Sequence, residues 1–162
     1  MIHLYTIPNT PSKVNLMPYV EMMLTMHDVP LSALSRMKSG KPILKHNCGF
    51  VSWSHTNALA CIAFSHNHAM GVDCEKIRPM DYQAISQRYF GSITDNRDDF
   101  FETWTAKEAH CKLLGISIWK ALAQPICSDV HHIHTAKHVI AIACDRAIPI
   151  THHKLSSYPT NL

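Results

Sequence analysis

The sequence predicts an α+β fold made of two αβββ halves arranged about a pseudo-two-fold axis. Three observations lead there. Helix-period and strand-like segments fall in separate blocks rather than alternating one by one. Within each block the strand-like runs follow one another across breaks short enough for hairpin turns. The order also recurs: Val139 to Cys144 in the second half matches Leu59 to Phe64 in the first in its apolar character. At 162 residues, with 46% hydrophobic and 17% charged side chains, the chain suits one domain or two small halves sharing a core, and it is too apolar to be disordered.

The first strand runs from Ile2 to Ile7 and stops at Pro8, with Asn9-Thr10-Pro11 turning the chain. A helix is expected from Asn15 to about Asp28. Leu16, Val20, Met23 and Leu24 fall on one face, and Pro18 sits in the first turn, where its missing N–H costs nothing. Ser39-Gly40-Lys41-Pro42 marks a loop. Strand runs then cover Phe50 to Ser54, Ala58 to Phe64 and Ala69 to Glu75, and read as a three-stranded antiparallel meander. The second half brings a helix over Asp81 to Phe90 and a stronger one over Asp98 to Leu114. Strands follow over Ile126 to Ile133, His138 to Cys144 and Ile148 to His152.

Composition narrows the function classes. With 15 Lys and Arg against 12 Asp and Glu, the formal charge is +3, too mild to argue for nucleic acid, and no dense basic run supports it. No apolar run approaches the roughly 18 residues of a membrane span. Met1 to Tyr5 lacks the basic flank and apolar stretch of a secretory signal, so the expected location is cytoplasmic. The six cysteines stand singly and read as reduced thiols, with Cys61, Cys111, Cys127 and Cys144 in apolar runs. Thirteen histidines are unusual, because mild acid would charge them.

Two short stretches carry chemistry. In Gly71-Val72-Asp73-Cys74-Glu75, strand alternation puts Asp73 and Glu75 on one face, where two carboxylates side by side call for a positive partner such as Mg2+. The alternative is a strand end entering solvent. In the long helix, Trp104, Glu108 and Lys112 recur every fourth residue, a column beginning on the apolar stripe of Phe101 and Trp104. Its plain alternative is an ordinary Glu-to-Lys pair at i,i+4, worth about 0.2–0.5 kcal/mol.

Together, Gly-x-Asp-x-Glu and, about thirty residues on, Trp-x-x-Lys-Glu-x-x-x-Lys resemble the signature of the 4'-phosphopantetheinyl transferases. Gly40-Lys41-Pro42 resembles that family's Gly-Lys-Pro loop. Ser52-Trp53-Ser54-His55 is similar to its Asn-x-Ser-His turn, with Ser52 in place of Asn, and Ile77-Arg78-Pro79 and Arg88-Tyr89-Phe90 continue the likeness. The resemblance runs from about Gly40 to Gly115 and is nearest the long, surfactin-synthetase-activating type. It implies a shortened first half over residues 1–76, a second half over 77–162, a site between them, and a monomer.

It also implies an activity: transfer of the phosphopantetheine arm of coenzyme A to a serine of an apo acyl or peptidyl carrier protein, releasing 3',5'-ADP. By the same resemblance Asp73, Glu75 and Glu108 would hold Mg2+, Glu108 would deprotonate the serine hydroxyl directly or through a metal-bound water, and Lys112 would steady the transferring phosphate or the leaving group. Lys41 and His55 would hold the adenosine 3'-phosphate, Pro42 would belong to the same coenzyme A site, and Lys107 and Ser54 would be further phosphate contacts. The family's Arg-rich segment before the first helix is abbreviated here, leaving Lys13, Arg36 and Lys38. That departure motivates a second reading, a coenzyme A or carrier-protein binding module without turnover. A third, a zinc-binding protein, rests on His131-His132-Ile133-His134 and His138, since a strand would place His132 and His134 on one face.

Overall fold

Residues 1–155, apart from Ser12, Asp95 and Ala123, are described by a computed structural model. The element order is β1 (Ile2–Pro8), α1 (Met17–Met26), β2 (Leu34–Arg36), β3 (Pro42–Leu44), β4 (Phe50–Thr56), β5 (Leu59–Ser65), β6 (Met70–Lys76), α2 (Tyr82–Phe90), α3 (Arg97–Leu114), α4 (Ile118–Leu122), β7 (Asp129–His134), β8 (His138–Cys144) and β9 (Ile150–Lys154). The α+β class and the main helices agree with the sequence reading. Asp81 and Asn96 cap α2 and α3 by accepting the N–H of Ala84 and Asp99, and Gly91 and Gly115 end both helices at positive φ.

Side-chain alternation builds four layers. In β1 and β5, Tyr5, Ile7, Ala60, Ile62 and Phe64 face α1, whose Tyr19, Val20, Met23 and Leu24 pack onto them. The opposite faces, carrying Ile2, Leu4, Leu59, Cys61 and Ala63, meet Met70, Val72 and Cys74 of β6 and Ile140, Ile142 and Cys144 of β8. Val139, Ala141 and Ala143 on the far face of β8 receive the second-half helices. β5 and β8 are therefore apolar on both faces, and every residue of each is buried.

The sheets differ from the expected meanders. One sheet has the order β4-β5-β1-β9 and the other β6-β8-β7, with β2-β3 a separate hairpin. The turn at Asn57 is a hairpin, but the segment from His66 to Ala69 crosses between sheets. The reason is edge occupancy: β1 takes the second edge of β5, from His3↔Phe64 to Pro8↔Leu59, so β6 pairs with β8 instead. β9 likewise leaves β7 and β8 and runs parallel to β1, Ile2 opposite Ile150. Both strands belong to their partners' sheets.

Candidate functional site

The site begins with the alternation of β6. Met70, Val72 and Cys74 enter the core between the sheets, so Gly71, Asp73 and Glu75 face the second-half helices. Gly71 lets backbone meet backbone. A methyl there would overlap the Ala109 carbonyl oxygen and the Leu113 amide nitrogen, and would stand 3.0 Å from the Lys112 carbonyl carbon. With Ala109, Ala141 and Ala143 also small, α3 lies directly on the sheet, and Glu108 and Lys112 reach Asp73.

Ligand oxygens of Asp73, Glu75 and Glu108 all lie within 4.8 Å of one another. Asp73 is 2% exposed, which rules out a strand end in solvent. Its Oδ1 accepts from Ser54 Oγ and from Lys112 Nζ, each at 2.7 Å, while its buried Oδ2 has no hydrogen-bond partner. Lys112 also donates to the carbonyls of Val72 (3.0 Å) and Trp53 (3.3 Å), so all three ammonium protons are used. It therefore bridges both sheets rather than pairing plainly with Glu108. Glu75 keeps a 3.0 Å ion pair with Arg78.

Electrostatics follow from this crowding. Burial first, and then the Asp73 carboxylate, push Glu108 up to about 8. Burial raises Glu75, against the hydrogen bond from Arg78. For Lys112, burial works against the charge, but Asp73 outweighs it and its pKa ends raised. The raised Glu108 and Glu75 show how poorly the pocket tolerates three negative charges without a further cation, and Oδ2 is a buried acceptor still to be satisfied. An all-oxygen set of this kind fits a hard divalent cation.

The remaining sequence-predicted residues divide. Lys41 and Pro42 line a cleft of about 270 Å³ beside the triad, shared with Arg36, Gly40, Trp53 and Lys112. Lys41 Nζ donates to the Leu113 carbonyl at 2.5 Å, at the C-terminal end of α3, and burial lowers its pKa. His55 is exposed on β4. The ammonium of Lys107 is directed to the Gln124 carbonyl (2.7 Å) and over the Phe90 ring (5.6 Å) rather than into the triad. His132 and His134 do share a face, but their Nε2 atoms meet the Glu102 carbonyl (3.2 Å) and carboxylate (3.1 Å). Among the described residues, the acidic triad is the only group of three or more side chains placed to hold a metal.

Two contributions were not read from the sequence. Arg36 stacks over Trp53 at 5.1 Å and walls the cleft, a pairing between distant residues with no sequence signal. Ser52 accepts the Val72 N–H at 3.0 Å and joins β4 to β6, and only its polarity in an apolar strand hints at that. No family model matches the chain. The chain is similar to a 4'-phosphopantetheinyl transferase. That protein is HetI of Nostoc sp., 32% identical over 96 aligned residues. The match covers 50% of this chain and 40% of HetI, so the chain spans well under two thirds of the curated relative's length.

Proposed function

We propose that the protein is a Mg2+-dependent 4'-phosphopantetheinyl transferase that moves the phosphopantetheine arm of coenzyme A onto a serine of an apo acyl or peptidyl carrier protein and releases 3',5'-ADP. One observation carries this reading: Asp73, Glu75 and Glu108 converge with Asp73 Oδ2 left without a partner and a lysine at 2.7 Å from Oδ1. The similarity to HetI supports the reaction class. When bound, Mg2+ supplies neutralisation of the pyrophosphate charge.

Everything else falls to this chain's own side chains. Asp73, Glu75 and Glu108 hold the cation. Glu108, which burial and Asp73 keep from ionising readily on its own, would be held ionised by the cation and would then accept the proton of the attacking serine hydroxyl. Lys112 contributes a fixed positive charge beside the phosphate as the leaving 3',5'-ADP gains negative charge. The neighbouring cleft, lined by Lys41 and Pro42, takes the adenosine end, and His55, exposed on β4 outside that lining, would approach the 3'-phosphate from solvent. Ser54 and Lys107 act through the protein contacts they already make. Halves 1–76 and 77–162 would pack about a pseudo-two-fold axis in a cytoplasmic monomer, each lending one strand, β6 or β9, to the other's sheet.

The test is the intact mass of an apo carrier protein incubated with this protein, coenzyme A and Mg2+. A gain of one phosphopantetheine is expected, absent without metal and absent in Asp73→Ala. Binding of coenzyme A without product would favour the non-catalytic module. No gain across several carrier proteins, with no coenzyme A binding, would overturn the reading.

A further inference from the structure

The two oxygens of Asp73 stand in unequal surroundings. Oδ1 takes two donors, Ser54 Oγ and Lys112 Nζ, both at 2.7 Å, and Oδ2 takes none although it is buried. Ser54 reaches it from another sheet. β4 and β6 share no ladder, and their seam is closed by side chains: Ser52 Oγ to the Val72 N–H, Ser54 Oγ to Asp73, and Lys112 to carbonyls of both strands. The Ser54 contact therefore refers the carboxylate on one sheet to the backbone of the other.

The two donors are not equivalent. Lys112 spends its three protons on Asp73 Oδ1 and on carbonyls of both strands, so the place of its ammonium is set by Val72 and Trp53 as well as by the carboxylate. Ser54 has one χ angle and one proton, on a strand whose backbone is held by β5 from Phe50↔Ser65 to Thr56↔Leu59. Donating that proton to Oδ1 fixes the plane of the carboxylate. We propose that Ser54 is a positioning residue that holds Asp73 by Oδ1 so that Oδ2 is presented to a divalent cation. This rests on the cation reading of the triad, and it gives Ser54 a role different from the phosphate contact implied by the sequence resemblance. Partners that orient a metal ligand in this way typically carry about 10- to 100-fold in metal affinity.

The experiment measures Mn2+ affinity, by calorimetry and by electron paramagnetic resonance, for the full chain without coenzyme A. Wild type, Ser54→Ala, Ser54→Thr and Asp73→Asn are compared, each with its melting temperature. Expected are a dissociation constant raised about 10- to 100-fold in Ser54→Ala, recovery towards wild type in Ser54→Thr, which restores the hydroxyl, and no site in Asp73→Asn. Wild-type affinity in a folded Ser54→Ala, with the site lost in Asp73→Asn, would overturn the positioning role and leave the cation reading standing. A Ser54→Thr variant as weak as Ser54→Ala would also overturn it. No Mn2+ binding by wild type, or binding indifferent to Asp73→Asn, would remove the cation site and the inference together.

Discussion

Replacing Gly71 by alanine tests how the site is assembled without touching a charged group. The added Cβ would meet the Ala109 carbonyl oxygen and Leu113 amide nitrogen at distances real contacts do not allow, and the Lys112 carbonyl carbon at 3.0 Å. All three are backbone atoms of α3, so no rotamer change relieves the overlap. The helix must lift from β6, or the strand must bend. Overpacking of this kind costs about 1–3 kcal/mol. For a chain of this size that is a fall of about 2–12 °C in melting temperature. The displacement also withdraws Glu108 and Lys112 from Asp73, and a shift of about 1 Å in a positioned group can cost on the order of 100-fold in turnover. The assay pairs thermal unfolding with carrier-protein modification followed by mass. Gly91→Ala serves as the contrast: its Cβ meets nothing within 4 Å, and only its φ of +73° is unfavourable, so it should lower stability without the matching loss of turnover. A Gly71→Ala protein with wild-type melting temperature and turnover would refute the close approach as the basis of the site.

Other expectations follow from the same geometry. Asp73→Ala should abolish transfer, and chelation of wild type should do the same with recovery on adding Mg2+; near-normal turnover in either case would show the triad is not the metal site. Lys41→Ala should raise KM for coenzyme A while leaving kcat nearly unchanged, and should lower stability by about 1 kcal/mol through the lost bond to the Leu113 carbonyl; a loss confined to kcat would contradict the cleft assignment. Stability should also depend on His27, whose pKa is lowered to about 4 by burial and then by His3, His66 and His153, with Asp28 opposing. Because the unfolded chain takes up the proton first, this contribution is complete above pH 6.5 and is lost as pH falls towards about 4. Melting curves across that window should fall less steeply in His27→Phe than in wild type, and parallel curves would exclude the effect.

Much of the site was legible because its logic is local. Period-2 alternation alone puts Asp73 beside Glu75, and period-3.6 alone puts Glu108 above Lys112. What was not legible was long-range. Alternation in β5 and β8 reports which faces are buried but carries no mark of which hydrogen-bonding edge is taken, so it does not show that β6 joins β8 or that β9 joins β1. β7 begins at Asp129 rather than Ile126, and β9 at Ile150 rather than Ile148, because apolar character alone does not say where a ladder starts. The partners of Lys41 and Lys107 are backbone carbonyls, which any residue offers equally. α4 has five residues, too few for a periodic signal, and is held by burial of Ala121 and Leu122.

The crossed strands govern how the molecule can be made. Asp73 and Glu75 sit on a strand whose ladder partner, β8, is synthesised only after all the helices of the second half. β1 finds one neighbour early in β5 and the other last of all in β9. Closing such distant pairings carries a loop entropy that local contacts do not offset, so folding should be slow for a chain of this length. A ribosome-bound chain ending near residue 76 would leave β6 without its ladder partner β8, and the Ile2, Leu4, Met70 and Val72 cluster without Ile140 and Ile142. The acidic triad is therefore among the last parts of the molecule to exist, and no fragment from either end should bind a cation there.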